Sequence, residues 1–285
     1  MKLKFILLLI PVFIFGCKTD DKGNDQIGEL AKEVSTNATP ENMSKLVDKY
    51  KNALTKKGID ANQIADYSYE LAQLQMKQNN FDAAAGTLKN ALKNGFDGAS
   101  TSKNIPLLAS LYTNQLRSPQ TIDNHIADFR KYFPNADAVK SRMTQLIEST
   151  KASIYDEQSH RIDPKIAANY VSLCEWYGFL FPGDKITPSY LFQAGETARS
   201  VRNFRKALDI YDRILLHFKS FEKTPQALFL KAFTLDNDLK QYDKAKQFYD
   251  SFLTQYPNDD FADDTKFLLE NLGKSDDEII KKFEK

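Results

Sequence analysis

The chain has 285 residues, 27% charged and 42% hydrophobic, with only 11 Gly and 10 Pro. This composition excludes a disordered, collagen-like or multi-span membrane protein, and the scarcity of Gly and Pro favours helices. Lys+Arg at 39 against Asp+Glu at 38 gives a net charge of +1, a balance that offers no general support for nucleic-acid binding. Single hydrophobic cores stop growing near roughly 250 to 300 residues, so a two-lobed or elongated architecture is expected.

Lys2 and Lys4 open a short basic start, and the apolar run from Phe5 to Phe15 is broken only by Pro11. A bilayer-spanning helix needs about 20 apolar residues, so residues 1–16 read as a secretory leader and not as a membrane span. The end of the run, Phe13-Ile14-Phe15-Gly16-Cys17, resembles the lipobox of bacterial lipoproteins, in which a small residue precedes the lipidated cysteine. The resemblance implies that Cys17 becomes the mature N-terminus and carries acyl chains such as palmitate, two or more of which anchor a protein stably. An ordinary leader followed by a chance cysteine is the alternative. Losing Lys2 and Lys4 with the leader changes the net charge from +1 to −1.

Cys174 is the only other cysteine and is expected to be a small buried hydrophobe. With Cys17 lipidated, no intramolecular disulfide can form. Residues 17–26 form the lipidated Cys and a flexible tether, since Lys18 to Gln26 contains no apolar side chain. Asp20-Asp21 is similar to the acidic export signal of surface lipoproteins of Bacteroidota, although two acids in a solvated tether also arise by chance.

Beyond the tether, Thr39-Pro40-Glu41 marks a helix start with Pro at the first position, and Met43, Leu46, Val47, Tyr50 and Leu54 give one apolar face. Leu71-Ala72, then Asn79-Asn80, then Phe81-Asp82-Ala83-Ala84 with Leu88, Ala91 and Leu92 read as a helical hairpin. A loop at Gly95-Phe96-Asp97-Gly98 leads to a second hairpin, Ile105 to Leu116 and Thr121 to Phe133, with Pro119 at its turn. Residues 136–154 and 164–181 form a longer hairpin joined by the polar stretch Asp156 to Asp163. The clearest repeat follows. A shift of 38 places Leu191 on Phe229, Ala194 on Ala232, Phe204 on Tyr242, Ala207 on Ala245, Tyr211 on Tyr249 and Leu215 on Leu253. In each copy a small Ala lets two helices approach closely, and a ring one turn later fills the space beside it. Phe133-Pro134, Phe181-Pro182 and Tyr256-Pro257 mark helix stops. Asp259, Asp260, Asp263 and Asp264 open the next helix, where acids favour the positive end of its dipole, and Gly273 stops it. Ser275-Asp276-Asp277-Glu278 starts a last short one with Ile279, Ile280 and Phe283.

These residues resemble the tetratricopeptide repeat, a pair of antiparallel helices with a usual period of about 34 residues. The family's small first-helix residue falls on Gly195 and Phe233, its turn aromatic on Phe204 and Tyr242, its second-helix Ala on Ala207 and Ala245, and its closing Pro on Pro257. Phe233 and Lys219 depart from that pattern. The expected fold is all-α, a solenoid of helical hairpins with the right-handed superhelix of that family. It comprises an N-terminal block over 27–135, a divergent hairpin over 136–187, a C-terminal block over 188–273 and a capping helix over 274–285. In layout the chain is similar to the tetratricopeptide lipoproteins of Bacteroidota and, more distantly, to BamD-type outer-membrane assembly lipoproteins.

No chemistry-bearing constellation emerges. His125, His160 and His217 fall in different segments with no zinc-ligand spacing, and there is no nucleophile elbow or phosphate loop. The acids from Asp259 to Asp264 lack the glycine of a calcium loop and read as helix capping. No catalytic or metal-binding residue is assigned, and no cofactor beyond lipid on Cys17. Trp176, with Tyr177, Phe179 and Phe181, reads as core, with a ligand-stacking platform as the alternative.

Function therefore follows from the resemblance, which implies a non-enzymatic envelope scaffold that takes a protein or peptide in a concave groove lined by first helices. In the family's layout the groove-facing positions are Asp66, Tyr69 and Gln73 in the first block, then Phe192, Glu196 and Arg199, then Lys231, Thr234 and Asn237. Each has an ordinary solvated surface residue as its alternative. The expected location is the outer membrane, with the lipid anchor on the periplasmic face or cell surface. An accessory role in outer-membrane protein assembly and a surface nutrient- or glycan-binding role are the other readings, and a single Trp argues against the last.

Overall fold

A computed structural model describes residues 22–92, 100–116, 119–156, 161–275, 278 and 280. The leader, Cys17, the Gly95–Gly98 loop, His160, and Ile279 and Phe283 of the expected terminal helix lie outside the described residues. Among the described residues the chain is all-α apart from one two-residue β-hairpin. It divides into two compact units, one running to Leu111 and including residues 131–133, the other holding Tyr112–Arg130 and everything from Pro134.

In the first unit, α1 (Lys22–Thr36), α2 (Pro40–Leu54), α3 (Ala61–Lys77), α4 (Phe81–Leu92) and α5 (Ser100–Ser110) each pack on the next, and α3 also meets α5. α1 begins inside the stretch expected to be a tether, and its Ile27 and Val34 are buried against Leu46, Val47 and Tyr50 of α2. α2 starts where Thr39-Pro40 predicts, with Thr39 Oγ1 accepting from Asn42 N at 3.2 Å. α3 ends in a left-handed Asn79 at φ 58. Asn80 N donates to Gln75 O and Asn79 N to Met76 O, the paired bonds that satisfy a helix C-terminus.

The second unit holds most of α6 (Pro119–Tyr132), then α7 (Ala136–Ala152), α8 (Pro164–Leu180), α9 (Thr187–Ser200), α10 (Phe204–His217), α11 (Thr224–Phe233), α12 (Tyr242–Gln255) and α13 (Ala262–Glu270). From α7 onward each helix packs on its successor. The polar link after α7 is a small hairpin in which β1 (Tyr155–Asp156) pairs antiparallel with β2 (Arg161–Ile162). Trp176 is 1% exposed and packs on Tyr112 and Phe129 at centroid distances of 4.7 and 5.6 Å, so it belongs to the core and offers no stacking platform. Cys174 is a buried free thiol. Three helices end alike: Phe181, Phe218 and Tyr256 each donate their backbone N–H to the carbonyl four residues back. Lys219 stands where the others have Pro, yet α10 stops at the same point.

α9 and α11 both open on Thr-Pro, and each Thr hydroxyl donates to the carbonyl of the preceding aromatic stop, Thr187 to Phe181 O at 2.6 Å and Thr224 to Phe218 O at 2.7 Å. The second copy is one residue longer between this start and its turn aromatic. A π-helical segment at Thr234–Asp238 absorbs the extra residue. The shift between copies is thus 37 before that segment and 38 after it, and the small residue matching Gly195 is the buried Ala232, not Phe233. At the far end Ser275 N donates to Glu278 Oε2 at 2.8 Å while Glu278 N approaches Ser275 Oγ at 3.4 Å, a capping box at the expected helix start.

Candidate functional site

Gly195 sets up the site from below. A Cβ there would lie 2.6 Å from Tyr211 Cε1, so only glycine lets the Tyr211 ring of α10 lie against α9. Above this ring is a cleft of about 550 Å³, bounded by the C-terminal half of α9, the turn after it, Leu230 of α11, and residues 237–240. Both turns at its rim are left-handed, Arg202 at φ 62 and Lys240 at φ 54. Arg199 Nε donates to Asp238 Oδ2 at 2.8 Å, and its guanidinium carbon lies 4.8 Å from the centre of the Phe233 ring. Both partners of this pair are only partly exposed, which screens it less than a surface pair.

The cleft gathers three of the nine sequence-expected positions, Glu196, Arg199 and Asn237. Three others are buried elsewhere. Phe192 is 1% exposed, with the Phe221 ring edge-on and Lys223 Nζ 5.1 Å from its centre. Lys231 is 8% exposed, ion-paired with Asp212 and 3.6 Å above the Phe248 ring. Thr234 is fully buried, its hydroxyl donating to Leu230 O. For Lys231 and Thr234 the cause is register: the 38-residue shift holds only after the π segment, and one residue turns a helix position by about 100°. The remaining three stand on α3 of the first unit. Asp66 is exposed and ion-paired with Lys103, and Gln73 is half-exposed. Tyr69 is half-buried, and burial, then Glu70, pushes its phenol up.

Sequence reasoning did not single out Tyr211, Arg202, Asp238 and Lys240 as site residues. Tyr211 reads as a packing ring because it falls on the apolar stripe of α10 with Ala207 and Ile214. The turn cations carry a faint signal: they occupy the slot that holds Asn79 in the first unit, where Asn or Gly is the unstrained choice. Burial pushes the Tyr211 phenol up, the carboxylates of Glu196 and Asp238 push it further, and Arg199 opposes them. Burial also raises the Glu196 carboxyl, against the pull of Lys223. No group of three or more His, Cys, Asp or Glu side chains is disposed to hold a metal among the described residues.

Residues 226–259, spanning α11, the π segment and α12, match the tetratricopeptide repeat family model. The chain carries a tetratricopeptide repeat. The fold is an all-α, tetratricopeptide-like helical repeat, and the cleft borders the matched repeat and the hairpin before it. Repeats of this kind generally bind protein partners and typically serve as non-catalytic scaffolds. No curated protein matches the chain. Among the described residues no helix is long and apolar enough to cross a membrane.

Proposed function

We propose that this protein is a lipid-anchored scaffold of the bacterial envelope, held at the outer membrane through Cys17, that captures a partner protein along the first helices of its repeats. The observation that carries the capture reading is the cleft beside the matched repeat, where Glu196, Arg199 and Asn237 come together. In-cell crosslinking of the lipidated protein, followed by mass spectrometry, tests it. Arg199→Ala with Asn237→Ala should lower the yield of the crosslinked partner by roughly tenfold while helicity is retained, the loss expected from about two interface contacts. Unchanged yield would place the partner elsewhere.

The anchor rests on the Gly16-Cys17 junction that follows the apolar run. Cys17→Ala should release the protein from membranes, and full membrane retention would refute the anchor. A BamD-like accessory role is the narrower form of the same reading. Co-purification with an outer-membrane barrel would support it, and recovery as a lone monomer from gently solubilised membranes would oppose it.

A further inference from the structure

From α7 onward the second unit turns alternately at two edges, because each helix packs back on the one before it. α8, α10 and α12 all begin at one edge, after the β-hairpin and the short turns at 201–203 and 239–241. Contacts along this edge join its turns. Lys151 Nζ at the end of α7 donates to Gln193 Oε1 of α9 at 2.6 Å, and Arg199 Nε at the end of α9 donates to Asp238 Oδ2 at 2.8 Å.

The two edges differ in charge. A helix start favours acids, and the opposite edge follows that rule, with Asp137 in the first turn of α7 and Asp263 and Asp264 in that of α13. The hairpin edge departs from it. Lys165, Arg205 and Lys244 stand exposed in the first turns of α8, α10 and α12. Arg202 and Lys240, also exposed, sit at φ 62 and 54, where Gly or Asn is unstrained and where the first unit has Asn79. Arg161 adds an exposed cation from β2. Folding gains nothing from a cation at these helix starts and left-handed turns, so their common sign points to an anionic ligand. Asp156, Asp163 and Asp243 offset half of them, although Asp163 is engaged in capping α8, its carboxylate accepting from Lys165 N and Ile166 N.

Apolar side chains lie among the cations. Tyr155 and Ile162 pair across the β-hairpin and are 50% and 39% exposed, and Tyr242, between Lys240 and Lys244, is 37% exposed. Tyr suits a membrane–water interface, where its ring is buried and its hydroxyl stays wet. Cations set along successive turns and helix starts are met more completely by a continuous surface than by one peptide chain.

We infer that this edge of the second unit lies against the anionic headgroups of a lipid bilayer, with Tyr155, Ile162 and Tyr242 entering the headgroup layer. This rests on the anchor proposed at Cys17: the lipid retains the chain, and the edge sets which side of the second unit faces the bilayer. With half of its cations offset, the edge orients an anchored chain and does not hold a free one.

The test uses the full lipidated chain in nanodiscs of phosphatidylcholine alone or with about one-third phosphatidylglycerol. An amine-acetylating reagent followed by mass spectrometry reads each lysine. Lys165, Lys240 and Lys244 should be protected several-fold in the anionic discs, and roughly 0.5 M salt should remove most of that protection, while Lys185 and Lys219 of the opposite edge stay reactive. Each cation near such a surface contributes roughly fivefold. Arg202→Asn with Arg205→Gln should therefore weaken the contact by roughly 25-fold, return Lys240 and Lys244 to their reactivity in phosphatidylcholine and leave Tm unchanged. Tyr155→Ser with Ile162→Ser should lower the protection of Lys165. Equal protection of both edges overturns the bilayer contact, as does protection that ignores anionic lipid, or an arginine variant that keeps its protection or loses stability. Protection in native envelopes but not in nanodiscs also overturns it and assigns the edge to an acidic protein. Failure of the anchor is read separately, as retention of Cys17→Ala in the membrane fraction.

Discussion

Gly195 and Tyr211 show how one missing methyl group positions a site. The Cβ of alanine at 195 would meet Tyr211 Cε1 at 2.6 Å, so the ring must move or α9 must separate from α10. Gly195→Ala should therefore destabilise by about 1–3 kcal/mol, the usual range for overpacking, despite alanine's better helix propensity, and urea unfolding measures it. What repeats in the sequence, and is legible for that reason, is the Ala207–Tyr211 spacing, as Ala245–Tyr249; the approach of Tyr211 to Gly195 across two helices does not recur at a fixed spacing. The buried ion pair of the second unit is not legible either. Lys206 Nζ donates to Glu175 Oε2 at 2.8 Å and to Thr113 O at 3.1 Å, partners 31 and 93 residues away, and no local pattern announces contacts at those separations. Lys206→Met leaves Glu175 charged and buried and should cost about 3–5 kcal/mol, most of it recovered when Glu175→Leu is added. Asp184 responds to acid. The Lys140 ammonium, above all, and the Tyr177 hydroxyl and Ile186 amide hold its carboxyl below the usual range, against burial. A carboxylate depressed in the folded state stabilises above its unfolded value of about 3.9, and that contribution is lost as pH falls through the folded value. Asp184→Asn should thus cost about 1–2 kcal/mol near neutral pH, and the gap to wild type should close in acid.

At the level of elements, the hairpins are built from interchangeable joints. Thr187 and Thr224 start α9 and α11 in the same way, each with a buried hydroxyl bonded to the carbonyl of the aromatic that closes the previous helix. Thr187→Ala and Thr224→Ala should each lower stability by about 1 kcal/mol, and a much smaller loss at one would show that the joints are not equivalent. The Thr39-Pro40 start, the Asn79-Asn80 turn and the Ser275 helix start are legible because each depends on residues within about one helical turn. The π segment is not. Its trace in the sequence is one extra residue between Thr224 and Tyr242, and an insertion of that size could as well be placed in the turn. Placing it inside the helix rotates what precedes it, which carries Lys231 onto Phe248 and Asp212 and buries Thr234.

Within the first unit, and from α7 onward in the second, packing between successive helices removes the need for one large core, which reconciles a chain of 285 residues with modest hydrophobicity. Near-zero net charge leaves the proposed lipid at Cys17 as the device that holds the protein at a membrane, so fractionation of Cys17→Ala is the decisive measurement at this scale. The amino-acid sequence by itself determined the helical class, the order and approximate ends of the hairpins, and the small-aromatic pairs that close them, because periodicity and capping act over a few residues. Only the tertiary structure decided which side of α11 faces the cleft, that Trp176 is core, and that Tyr211, Arg202 and Lys240 meet around one opening. Those outcomes depend on a one-residue change of helical register and on polar groups contributed by separate helices and turns. Neither leaves a local signature, since the free energy that selects them arises only when the helices pack.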